Sequence, residues 1–245
     1  MPGVNGLGKT AGTKSSPDLI VSNLNIKKSY IKEILLDNSN LVEQEKEIFN
    51  EMLSNIKKPG KLMVIGGDHS ISYPIGKAFL QSKMKNPALI IFDAHPDCMP
   101  PMENPTHEEW LRALIKHKFP ADNILLIGTR KIEPEEKLYL EKNQIKIVSI
   151  DEIKKDTNRI IQKIKEFSEN KTVYISFDID VLCHSIAPAT SYPENKGINL
   201  KEAIEIFKAL KKINWKIFDI VEINAEKPGL KETIKTVLIL LKIII

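Results

Sequence analysis

Residues 88–97 read ALIIFDAHPD, an unbroken apolar run of strand length that ends abruptly in two carboxylates and an imidazole. A strand that is apolar on both faces belongs inside a sheet covered on both sides, because a half-exposed strand would alternate with polar residues. Five further runs share this character: KLMVIGG (61–67), NILLIG (123–128), IKIVSI (145–150), TVYISFDID (172–180) and KIFDIVEIN (216–224). Helical spacing occupies the intervals 26–57, 70–85, 107–118, 134–143, 151–169, 200–212 and 229–243. Strands that alternate with helices predict an α/β fold with a mostly parallel central sheet.

The 245 residues carry no internal repeat and no linker rich in Pro, Gly or Ser, so one domain over 1–245 is expected. A 42% hydrophobic and 28% charged composition excludes a disordered chain. The net charge of +4 comes from lysines interleaved with glutamates, as in IKKSYIKE and EAIEIFKALKK. That pattern is a solvated helix face and excludes a nucleic-acid stripe. Two cysteines, Cys98 and Cys183, cannot build a disulfide framework, and no signal-like segment opens the sequence, which points to the cytoplasm. The closing TVLILLKIII is too short to span a bilayer and is interrupted by Lys242, so no membrane partner is expected.

In parallel sheets ligands gather at the carboxyl ends of the strands, so the polar residues there carry the functional weight. Four strands end in them: GGDHS (66–70), FDAHPD (92–97), SFDID (176–180) and VEIN (221–224). Strand alternation predicts Asp93, His95 and Asp97 on one face, with Asp178 and Asp180 repeating the arrangement and His69 at the end of a neighbouring strand. Four carboxylates and two imidazoles on one rim need cations to compensate them. Two divalent ions sharing bridging carboxylates satisfy that need, and a donor set rich in oxygen and free of thiolate favours Mn²⁺ over Zn²⁺.

A second motif competes for attention. Residues 3–10, GVNGLGKT, match the phosphate-cradling G-x-x-x-x-G-K-[ST] pattern letter for letter. The pattern works only between a buried strand and a helix. Only Met1 and Pro2 lie upstream here, and AGTKSSPD with Pro17 is a poor helix start. A Gly-rich entrance segment without phosphate contact is expected instead.

GGDHS, DAHPD and SFDID resemble, in order and spacing, the signatures of the ureohydrolase family, the arginases and agmatinases; the resemblance covers about residues 60–225. It implies a three-layer α/β/α fold, assembly as a homo-oligomer (trimer or hexamer) and two Mn²⁺ per subunit. Carried over by position, His69, Asp93, Asp97 and Asp178 look like ligands of one ion, and Asp93, His95, Asp178 and Asp180 like ligands of the other. His107, in NPTHEEW, resembles the family's proton-shuttling His. THEE also reads as a helix start, with Thr106 as N-cap and Glu109 at the third position. Glu222 in VEIN resembles the glutamate that pairs with a guanidinium, a bidentate contact.

The implied reaction is cleavage of a small guanidino compound to urea and an amine. Arginase members hold the α-carboxylate of arginine with a longer Ser- and Asn-bearing loop, whereas the stretch between Asp97 and His107 is short and holds Pro100, Pro101 and Pro105. Agmatine, without that carboxylate, fits better. Arginine, another amidino or formimino substrate, and a non-catalytic metal-binding role are the alternatives. In VLCHSIAPATSYP, Cys183 and His184 stand where the family has Asp-Pro, and Ser191 and Tyr192 where it has Gly-Thr. Loss of that Gly removes the residue a positive-φ turn favours, and a Tyr ring narrows the recess. His184 reads as a surface residue rather than an extra ligand. Glu103, Glu108 and Glu109 read as a solvated face unless a distal ammonium meets them.

Overall fold

The computed structural model describes residues 1–6 and 8–245; Leu7, inside the Gly-rich opening stretch, lies outside the described residues. All six apolar runs become strands: β1 Leu62–Ile65, β2 Pro87–Phe92, β3 Ile124–Thr129, β4 Lys146–Ser149, β5 Thr172–Asp178 and β6 Trp215–Val221. They form one sheet in the order β1-β6-β5-β2-β3-β4, and every neighbouring pair is parallel. The register sets Phe92 beside Phe177 and Asp178 beside Val221, which aligns the carboxyl ends of β2, β5 and β6 on one rim.

Helices cover both faces, giving the expected three layers. One face carries α1 (Ser16–Asn23), α6 (Ile150–Lys155), α7 (Thr157–Ser168), α8 (Leu200–Leu210) and α9 (Leu230–Ile244). The other carries α2 (Leu41–Ile56), α3 (Ser72–Gln81), α4 (Trp110–Lys116) and α5 (Pro134–Lys142). The two-residue strand period divides the core accordingly: Ala88, Ile90 and Phe92 pack under the first set, Leu89 and Ile91 under the second. Burial of α9 through Val237, Leu240, Leu241 and Ile244 accounts for the apolar C-terminal run. Among the described residues no helix is long and apolar enough to cross a membrane.

Three helix expectations change. The predicted helix over 26–57 begins only at Leu41, because Asn38 and Asn40 turn their side chains onto backbone groups instead of extending the helix. Asn40 caps α2 by accepting from Glu43 N at 3.1 Å, and Asn38 accepts from Val4 N at 2.9 Å. The segment 151–169 breaks at Asp156 (φ −160°, ψ 90°), whose carboxylate caps α7 through Arg159 N at 3.0 Å. A helix does open behind the Gly-rich stretch, since Pro17 sits in the first turn of α1, where a missing N–H costs nothing.

Among the described residues of that stretch, polar groups that a phosphate cradle would turn toward a ligand are taken by the β1 rim: Asn5 N donates to Asp68 Oδ2 at 2.8 Å, Thr10 Oγ1 to the same oxygen at 2.6 Å, and Asp68 N to Gly3 O at 3.1 Å. A Cβ on Gly67 would lie 2.0 Å from Gly3 O, so only glycine permits this approach. Asn5 Nδ2 also donates to the carbonyls of Asn104 and Pro105, at 3.1 and 3.0 Å. The entrance segment therefore braces two rim loops, while Lys9 is exposed.

Candidate metal centre

The four polar strand ends meet at the carboxyl rim. β1 lies beside β6 and not beside β2, so His69 reaches the DAHPD turn across β6 and β5. Strand alternation does not position DAHPD as expected, because β2 ends at Phe92 and Asp97 takes a left-handed conformation at φ 50°. A turn splits the motif instead. His69 Nδ1 lies 3.0 Å from both Asp93 Oδ2 and Asp97 Oδ2 and 3.3 Å from Asp178 Oδ2. His95 Nδ1 lies 2.9 Å from Asp180 Oδ2 and 3.6 Å from Asp93 Oδ1. Two overlapping groups able to hold an ion result, His69/Asp93/Asp97 and Asp93/His95/Asp180.

Backbone amides hold one oxygen of three of the carboxylates and aim the other inward. Asp93 Oδ1 accepts from His95 N at 2.7 Å, Asp178 Oδ1 from Asp180 N at 2.8 Å, and Asp180 Oδ1 from Ala94 N at 3.0 Å. Asp97 is fixed by Trp110, whose Nε1 donates to Oδ2 at 2.8 Å. Although three carboxylates surround His69 Nδ1, that nitrogen and Asp93 Oδ2 are buried without a directed hydrogen bond. One N–H cannot serve three acceptors, so the short distances describe convergence on a shared point rather than pairing.

The far side of His69 is anchored below the sheet end. Ser176 Oγ donates to Asp219 Oδ1 at 2.8 Å and therefore accepts from His69 Nε2 at 2.9 Å, which leaves Nδ1 to face the carboxylates. Asp219, fully buried on β6, also accepts from Ser72 Oγ at 2.9 Å and from the Tyr174 hydroxyl. The sequence reading missed Asp68, Trp110, Ser176 and Asp219. A charge at Asp219, inside the apolar run KIFDIVEIN, was the available signal.

Glu222 is buried at φ 65°, a left-handed conformation that costs energy for a non-glycine residue. Its Oε1 already accepts from His69 N at 2.8 Å, and Oε2 has no partner, so a symmetric fork gives way to one free oxygen. His107 is buried with both ring nitrogens unpartnered and stacks on Tyr192 at 5.2 Å between centroids. The helix expected to start at Thr106 starts at Trp110, with a turn over 107–109. One half of the expected pair of contacts survives: Glu109 Oε1 accepts from Thr106 N at 3.0 Å, while Thr106 Oγ1 accepts from Glu108 N at 3.3 Å. The turn through Ser191 and Tyr192 contains no left-handed residue, so the missing Gly creates no conflict. His184 is exposed, as expected, and Cys98 is buried in the core.

Without cations the cluster holds protons. Burial lowers the His69 pKa, but the carboxylates of Asp178, Asp93 and Asp97 outweigh it and hold the ring well above its ordinary value. Burial, helped by the Asp93 charge, pushes Asp97 up to about 7. Burial likewise pushes Asp178 up, with Asp180 and Asp93 adding to it, and Glu222 up, with Asp178 and Asp68 adding. Asp93 moves the other way, because His69 and His95 together overcome its burial. These groups titrate as one unit.

A pH dependence follows. Asp97 ionises near 3.8 when unfolded and at about 7 when folded, so the cation-free fold binds the extra proton across that window and loses stability as pH rises through it. His69, raised above its unfolded value, acts in the same direction above pH 6.5. The melting temperature of chelator-treated protein is therefore expected to fall between pH 4 and 7, with Asp97→Asn flattening the slope. A melting temperature that climbs throughout that range contradicts the assignment.

Two cavities meet here. An inner one of about 20 Å³ is bordered by His69, Asp178, Asp180, Thr190 and Glu222, and an outer one of about 270 Å³ by Met99, Glu108, Lys131, Glu133, Glu136 and Glu194. His95, Asp97, His107 and Tyr192 border both.

Comparison with known proteins agrees with this architecture. The arginase of Bacillus subtilis superposes with a TM-score of 0.86 at 21% identity, covering 95% of this chain and 92% of that one. Formimidoylglutamase of the same species superposes at 0.84 and 24% identity, over 98% and 83% of the two chains. In sequence, the arginase of Plasmodium berghei is 28% identical over 260 residues, or 96% of this chain and 70% of the relative. Residues 8–244 match the family model described as the arginase family, and the chain therefore belongs to the arginase family of metal-dependent hydrolases acting on guanidino and amidino compounds.

Proposed function

We propose that this chain is a dinuclear manganese hydrolase, a single domain over 1–245, that cleaves agmatine to urea and putrescine. The observation that carries the reading is the convergence of five His and Asp side chains in two groups sharing Asp93, with Asp178 Oδ2 3.3 Å from His69 Nδ1 and with His69 Nδ1 and Asp93 Oδ2 buried without a directed hydrogen bond. Metal-ligating atoms brought to a common point and left without directed hydrogen bonds fit a cation, which would displace the protons the cluster otherwise holds. The donors are oxygen-rich and without thiolate, which suits Mn²⁺. His69, Asp93, Asp97 and Asp178 would hold one ion; Asp93, His95, Asp178 and Asp180 would hold the other. When bound, such ions neutralise the carboxylates and make water acidic enough to supply hydroxide near neutral pH.

The chain's own residues supply the rest. Glu222 Oε2 receives the guanidinium N–H groups and fixes the reacting carbon. Burial keeps the His107 pKa below its ordinary value, so its ring is neutral and able to accept a proton near pH 7. Overall, water adds to the guanidinium carbon, the bond from carbon to the alkyl nitrogen breaks, and His107 returns a proton to the leaving amine. Exposed Glu108 sets Oε1 3.7 Å from His107 Nε2, on the solvent side of that ring.

The outer cavity favours a second positive charge on the substrate. Glu108, Glu133, Glu136 and Glu194 line it against one lysine, Lys131, which suits the distal ammonium of agmatine better than an α-carboxylate. Family resemblance further supports a homo-oligomer, trimer or hexamer, working in the cytoplasm.

The test is urea release from agmatine and from arginine by metal-stripped protein, before and after Mn²⁺, with Asp178→Asn as control. Manganese-dependent urea from agmatine, lost in the variant, is the expected result. Urea from arginine alone changes the substrate. Two bound ions without urea from either compound would point to a formimino substrate or to a member without catalysis.

A further inference from the structure

The inner cavity, about 20 Å³, holds roughly one water and no organic group, whereas the outer one, about 270 Å³, accommodates an alkyl chain and its tail. The reacting end of a substrate must therefore rest at the junction, against the four residues common to both cavities, with its N–H groups turned toward Glu222 on the wall of the inner one. On one side of that junction the His107 and Tyr192 rings stack at 5.2 Å and 27°. Tyr192 Oη and both His107 nitrogens are buried there without any partner.

The loop that carries Tyr192 is tied down while its hydroxyl is left free. Asn224 Nδ2 donates to Ser191 Oγ at 2.8 Å, Asn224 N to Ala189 O at 2.9 Å, and Thr190 forms a bridge with Ile223. A rigid aromatic wall with unused polar atoms, set at a neck, is built to read the shape of what passes.

We propose that Tyr192, stacked on His107, is a specificity-determining residue that admits the bare planar end of an amidinium cation and excludes ends carrying a substituent. The face of the ring turned away from His107 covers the cation plane. A methyl group on a terminal nitrogen would meet the His107–Tyr192 pair. This inference rests on the hydrolase reading for its ligand class, and its test does not require turnover.

Calorimetric titration of the manganese-loaded protein with butylguanidine, which has a bare end, and with N-butyl-N′-methylguanidine, which does not, is the experiment. Wild type is expected to prefer the first by at least ~10-fold. Tyr192→Thr should cut the preference below ~3-fold and weaken the bare compound by roughly 3–10-fold, the worth of a ring–cation contact. Tyr192→Phe keeps the ring and should keep the preference. If the Thr variant does not fold, Tyr192→Leu provides the same comparison. An unchanged preference in the ring-less variant, or no binding of either compound to wild type, overturns the proposal. A Tyr192-dependent preference without urea release from any guanidine sinks the hydrolase reading alone. Urea release with a Tyr192-independent preference sinks this inference alone.

Discussion

Asp93→Asn is expected to cost more urea release than the roughly 10–100-fold loss usual for residues that only orient a metal ligand. Asp93 is the residue common to both groups of converging side chains, so its charge serves both proposed ions at once. Removing that charge also disturbs the balance with His69 and His95, which together hold Asp93 below the ordinary carboxylate pKa. Manganese content by elemental analysis, measured with the urea assay, separates the causes. Fewer than two ions per chain with activity lost is the expected pair of results. Two ions and activity within 10-fold of the parent would remove Asp93 from the bridging position.

The second large effect is on stability. Asp219→Ala is expected to destabilise the fold by about 3–5 kcal/mol, because the buried carboxylate accepts from three hydroxyls, Ser72, Tyr174 and Ser176, whose donors lose their partner in a fully buried position. Individual orphaned donors cost about 1–3 kcal/mol, and some recover by rotating. A loss of that size is a large fraction of a typical stability of about 5–15 kcal/mol. His69 loses its anchor too, so manganese affinity should fall by roughly 10–100-fold in the same variant. Urea denaturation and a metal competition titration read the two effects. A variant within 1 kcal/mol of the parent, with unchanged affinity, would mean that the Ser176–Asp219 network positions nothing.

Much of the site is legible in the sequence for a local reason. GGDHS, DAHPD and SFDID each place their polar residues where an apolar strand stops, and parallel sheets bring all such ends to one rim. Glu222 likewise ends a strand, in VEIN, whereas His107 in NPTHEEW was singled out only through the family resemblance. Elements whose signal lies in local periodicity, such as the six strands and α8, were equally readable. Where local chemistry competes with periodicity, reading failed: Asn40 and Asp156 turn their side chains onto the backbone and cap helix starts inside stretches that spacing alone would read as one helix.

The sequence by itself determined the fold class, the layered alternation, the six converging His and Asp residues and the membership of an arginase-like group. Tertiary structure alone decided which of those residues face each other. His69 meets Asp93 across two intervening strands, and Glu222 Oε1 is taken by the His69 amide 153 positions away. It also decided that Asp68 clamps the Gly-rich entrance, that Asp219 anchors His69 from beneath, and that Tyr192 closes on His107 at the neck. Periodicity is a property of neighbouring residues and survives in the string of letters, whereas strand order and the pairing of buried polar atoms arise only when distant segments share one low-dielectric space.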